Sequence, residues 1–75
     1  ISNYTHLTGL YLNNNQLQEL PIIIFQTLTN LAILDISHNR FRKLPDELGS
    51  LISLEKLLIH NNQLTELPLS LGQLF

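Results

Sequence analysis

Asp35, His38 and His60 are the residues whose types could do chemistry together in this 75-residue chain. Two imidazoles and a carboxylate can bind zinc, and the same group could serve as a pH-sensitive contact. Solvated histidines at a loop edge are far commoner than metal ligands, so no metal is assigned. Nucleophilic catalysis finds no support. There is no cysteine and no Gly-x-Ser-x-Gly, and Ser37 beside His38 is adjacency at a strand end, where neighbouring side chains diverge. No glycine-rich phosphate loop appears. Arg40, Arg42 and Lys43 form the single basic cluster, expected to solvate its loop. Catalytic residues, cofactors and small-molecule ligands are therefore all expected to be none.

Whether Asp35, His38 and His60 meet depends on the elements that hold them, and those are set by repetition. LAILDISHNRF, from Leu31 to Phe41, has the spacing LxxLxLxxNxL. It recurs upstream as LTGLYLNNNQL (Leu7 to Leu17) and downstream as LEKLLIHNNQL (Leu54 to Leu64). The second halves repeat too, with Leu20-Pro21, Leu44-Pro45 and Leu67-Pro68 in corresponding places. Such a period marks stacked supersecondary units. The expected organisation is a partial unit over 1–6 and repeats over 7–30, 31–53 and 54–75. The first repeat carries its extra residue in IIIFQT, and by position after the proline Phe25 stands where Gly49 and Gly72 stand. Neither end shows the polar cap a solenoid needs, so the expectation is a piece of a longer array.

Within each unit, Leu10-Tyr11-Leu12, Leu34-Asp35-Ile36 and Leu57-Leu58-Ile59 alternate inward and outward, the period of a half-buried strand. Stacking them in parallel gives one sheet with strands about 4.8 Å apart. One asparagine per unit, Asn15, Asn39 and Asn62, falls among the apolar positions. A polar side chain there is costly unless hydrogen-bonded, and an amide can both donate and accept. The three asparagines are expected to form a buried structural ladder between turns. LPDELGSL reads as a short helical turn, with Pro45 in its first turn, Asp46 and Glu47 at the positive end and Gly49 ending it. Narrow strands on one side and bulkier turns on the other make the stack curve, with the sheet on the concave side. The fold class is thus α/β, a curved solenoid with short helical turns or loops on the convex face.

Three copies of LxxLxLxxNxLxxLP, two completed by xxLGxL, resemble the leucine-rich repeat family, over essentially the whole chain. The LPxxLGxL half is similar to the intracellular 23-residue subclass found in Ras-binding scaffolds, fungal adenylyl cyclases and LAP-type polarity proteins. That resemblance implies a non-catalytic module for binding a protein partner. THLTGLYLNNNQL and the stretch from LDISHNRF to the end are also similar to the leucine-rich segment of the large nuclease subunit of CCR–NOT poly(A) deadenylases. It implies an alternative, a segment that recruits a partner nuclease while a separate domain does the chemistry. A third reading is an architectural spacer.

Composition narrows these choices. Four Lys+Arg against six Asp+Glu leave no surplus for a polyanion, so nucleic acid is not expected as a direct partner. No apolar run reaches the roughly 18 residues of a membrane span. Absence of cysteine fits a reducing compartment, and a cytoplasmic (or also nuclear) location is expected. Asn3-Tyr4-Thr5 matches a glycosylation sequon and is read as a chance match. Binding is then expected through the outward columns of the concave face: Tyr11, Asn13, Ile33, Asp35, His38, Lys56, Leu58 and His60. Ala32 and Ser37 belong to the same columns and are expected to be dispensable for the coil. Tyr11, Asp35 and Leu58 stand in line, and Ile33, Leu58 and Tyr11 together suggest an apolar strip with a polar rim.

Overall fold

A computed structural model describes residues 6–68. The Asn3 sequon, Tyr4, and the last half-turn with Gly72 lie outside the described residues. Three short strands, β1 (Gly9–Tyr11), β2 (Ile33–Asp35) and β3 (Lys56–Leu58), form one parallel sheet in the order β1-β2-β3. The register follows the repeat: Gly9, Ile33 and Lys56 are aligned, then Leu10, Leu34 and Leu57, then Tyr11, Asp35 and Leu58. Between β1 and β2 the chain makes helix α1 (Ile23–Thr27), and between β2 and β3 a 3₁₀ turn (Asp46–Ser50). The chain is a curved solenoid, its sheet on one face and its helical turns on the other.

Hydrophobic alternation explains why the coils stack. Leu31, Leu34 and Leu51 are fully enclosed, and Ile36, Phe41 and Leu48 nearly so. Of their counterparts in the outer units, Phe25, Leu28 and Leu54 are buried as well, but Leu7, Leu10, Leu57 and Ile59 are only half-buried against that core. A repeat unit cannot cover its own apolar face, so the middle one gains most from stacking. Backbone bonds run on beyond the strands, Leu12 N–H donating to Asp35 O at 2.8 Å and Ile36 N–H to Leu58 O at 2.9 Å.

On the convex side the local readings need correcting. Pro45 is extended (φ −72, ψ 153) and precedes the 3₁₀ turn instead of sitting in its first turn. Gly49 lies inside that turn, which Leu51 closes, and no described glycine has a positive φ. Asp46 and Glu47 do occupy the first turn, where carboxylates suit the exposed N–H groups. Phe25 takes the place of Leu48, not of Gly49, and both are buried to 1% exposure. The extra residue of the first unit enters ahead of Phe25, so the alignment must be counted back from Leu28 and Leu51. That residue also lengthens the turn. Leu28 N–H bonds Ile24 O in an i to i−4 α-type link at 2.9 Å, where the equivalent Leu51 N–H makes an i to i−3 link to Leu48 O at 3.2 Å. Among the described residues, no helix is long and apolar enough to cross a membrane.

Candidate functional site

The exposed side of the sheet is organised by the same register as the core. Tyr11, Asp35 and Leu58 form its central row, with Gly9, Ile33 and Lys56 beside it. Tyr11 is the most prominent member at 60% exposure. Its ring lies over Gly9, where an added Cβ would come within 3.0 Å of Cε2. The bare glycine thus provides the floor on which the aromatic ring rests. Ile33, Asp35 and Leu58 are half-buried, Lys56 is exposed, and Asn13 is half-buried just past β1.

At the end of the sheet the chain turns the same way three times. Asn14, His38 and Asn61 hold φ values of 61, 56 and 58, the left-handed region. Asparagine tolerates that region better than most residues and histidine is also enriched there. This conformation aims the His38 ring across to the third unit, where it meets His60 edge to face with centroids 5.1 Å apart. Asn61 Nδ2 lies 3.2 Å from His38 Nε2.

Asp35 is held by its own strand end. The Ser37 hydroxyl donates to Oδ1 at 2.6 Å and the Ser37 N–H donates to the same oxygen at 3.1 Å. The hydroxyl bond is the main reason the Asp35 carboxyl sits below its ordinary pKa. The amide bond and the nearby His60 and His38 add to the lowering, while partial burial opposes it. Ser37 itself is 3% exposed, so it is not a free outward position but a buried anchor. The signal was present in the sequence: Asp followed by a hydroxyl residue two positions on is the pattern of a side-chain turn.

A depressed carboxyl contributes stability above its unfolded-state pKa, and that contribution is lost as pH falls through the folded-state value. Ser37→Ala is therefore expected to raise the Asp35 titration midpoint toward the ordinary carboxylate range and to shrink the acid-side loss of stability. Carbon-detected NMR titration of the Asp35 carboxyl reads the shift directly. A midpoint that stays put would mean the hydroxyl bond is not formed in solution.

The asparagines lie behind this face. Asn39 accepts from Leu17 N–H at 3.0 Å and donates to Leu12 O, Ile36 O and Ser37 O at 2.9, 3.0 and 3.1 Å. Asn62 accepts from Phe41 N–H and donates to Ile36 O and Ile59 O, each at 3.0 Å. Each joins its own turn to the preceding one. Asn15 departs from the buried ladder: it is exposed and bonds locally, to Leu12 O and Asn13 O. It stands at the outer edge of the described stack.

Comparison with known proteins agrees with this geometry. The leucine rich repeat family matches residues 5–64. The chain belongs to the leucine-rich repeat family. A leucine-rich repeat protein of Leptospira interrogans superposes with a TM-score of 0.86 at 44% identity, over 91% of this chain and 17% of that one. Disease resistance protein UNI of Arabidopsis thaliana is 40% identical over 57 residues, covering 75% of this chain and 6% of that protein. Human fibromodulin is 44% identical over 52 residues, covering 69% of this chain and 13% of that protein. These repeats thus span a small part of the relatives they match. The leucine-rich repeat is in general a non-catalytic interaction fold.

Proposed function

We propose that this repeat segment binds a protein partner through its concave sheet face, with Tyr11 as the anchor and Ile33, Asp35, Lys56, Leu58, His38 and His60 around it. The observation that carries the reading is Tyr11, 60% exposed on a floor made by Gly9 and in line with Asp35 and Leu58. An aromatic ring presented from a rigid sheet offers large contact area at low entropic cost, and tyrosine is enriched among residues that dominate binding energy. Relatives as different as a plant disease resistance protein and fibromodulin share the coil, which supports reading the coil as scaffold and the outward residues as specificity.

The test is a paired Tyr11→Ala, Lys56→Glu substitution. Both side chains are exposed, so the fold should survive, whereas reversing Asp35 would also strip Ser37 of its acceptor. Affinity capture from the source lysate, quantified against wild type, should show partner recovery falling about tenfold or more, as for loss of a hot spot. Circular dichroism should be unchanged. Equal recovery by the variant would sink the assignment to the concave face.

A further inference from the structure

Beside the sheet, where the chain leaves each asparagine, a groove of about 750 Å³ opens between the first and second units. Arg40, Arg42 and Lys43 line it, three of the four Lys and Arg residues of a chain whose net charge is −2. Among the described residues none of the three forms an ion pair. We propose that this groove receives a carboxylate-rich segment of a protein partner, which rests on the reading above only in taking the partner to be a protein.

The coil does not require these cations. At the places of Arg40 and Arg42 the first unit has Gln16 and Gln18, and the third has Gln63 and Thr65. At the place of Lys43 both have glutamate, Glu19 and Glu66. Lys43 thus stands between two carboxylates in register and beside Asp46 and Glu47, whereas Arg40 and Arg42 have only neutral residues in register, so an opposite charge from outside is their natural complement. The segment is also held in place. Arg40 N–H donates to Leu17 O at 2.8 Å, and Thr65 N–H donates to Arg42 O at 3.1 Å. Phe41 between them is buried to 1% exposure while Arg40 and Arg42 are both exposed and both line the groove.

The rest of the lining selects the occupant. Guanidinium groups pair bidentately with carboxylates, and Gln18 and Gln63 add amide donors at the rim. Leu20, Ile22 and Pro45 supply an apolar wall for side chains between the acidic residues. Glu19 also faces the groove and opposes a dense polyanion more than a single carboxylate.

The experiment uses the intact protein that contains these repeats and a fluorescein-labelled peptide of alternating glutamate and leucine, read by anisotropy. Saturable binding that weakens with salt is expected. The pair Arg40→Glu, Arg42→Glu should weaken it about tenfold or more. The milder Arg40→Gln, Arg42→Gln pair, which installs residues found in the neighbouring units, should also weaken it, in case the reversal perturbs folding. Tyr11→Ala should leave it unchanged, so this groove and the sheet face fail or succeed separately. Unchanged affinity in the glutamine pair, equal loss with Tyr11→Ala, or binding of an RNA oligonucleotide or inorganic phosphate in preference to the peptide would each overturn the proposal.

Discussion

Truncating Leu34 to alanine is expected to remove about 3–5 kcal/mol of folding stability, the upper part of the range for a buried leucine. The same truncation at Leu10 should remove only about 1–2 kcal/mol, in keeping with half-burial. Leu34 is 0% exposed, between Leu10 and Leu57 in the same row of the sheet. The space it leaves cannot collapse easily, because β2 is hydrogen-bonded to a strand on each side and a cavity remains. A 75-residue chain holds only about 4–11 kcal/mol in all, so the middle position brings the segment close to unfolding. Urea unfolding followed by circular dichroism should show the midpoint falling by about 3–5 M for Leu34→Ala, taking a slope near 1 kcal/mol per M. Equal shifts for Leu10 and Leu34 would contradict the unequal burial of the coils.

The difference between these two leucines is one thing the repeat pattern does not contain. LxxLxL assigns Leu10 and Leu34 the same inward place, and the register confirms it, yet burial depends on having a neighbour on both sides. Position in the stack is a property of the assembled coil. Ser37 shows the complementary gap. Alternation places it outward, but the chain turns at the end of β2, and there the hydroxyl folds back onto Asp35 and is covered. Strand periodicity holds only while the backbone stays extended, and at His38 it swings into the left-handed region. Phe25 shows a third gap, since an insertion slides the alignment and only packing reveals which residue fills the place of Leu48. The strands, their order and the inward leucines were legible because period-2 patterning repeated in tandem leaves few alternatives. The exposed rows were legible as positions, although Gly9 as the floor for Tyr11 was not, because a glycine has no side chain to announce its contact.

Asn39→Ala is expected to cost about 2–4 kcal/mol, whereas Asn15→Ala should cost no more than about 1 kcal/mol, although the sequence sets both in the same motif. Asn39 is 7% exposed and bonds both adjoining turns: Leu17 N–H and Leu12 O belong to the first unit, Ile36 O and Ser37 O to its own. Alanine would leave the half-buried Leu17 N–H and the buried Ile36 O and Ser37 O without that partner, and a buried group stripped of its partner costs about 1–3 kcal/mol by itself. Among the described residues Asn15 donates only within its own turn, and it is exposed, so water replaces what is lost. Asn39→Asp sharpens the distinction. It keeps an acceptor for Leu17 N–H but turns a carboxylate toward three carbonyl oxygens. Those oxygens disfavour the charged form, so the carboxyl would titrate above its unfolded-state value, and the destabilisation would grow as pH rises through that range. Unfolding measured at pH 4 and pH 7 should therefore show Asn39→Asp relatively worse at pH 7, while Asn39→Ala shows no such trend. A flat pH response for Asn39→Asp would mean that the side chain at this position leaves the stack for solvent, and that turn-to-turn bonding does not hold the coils in register.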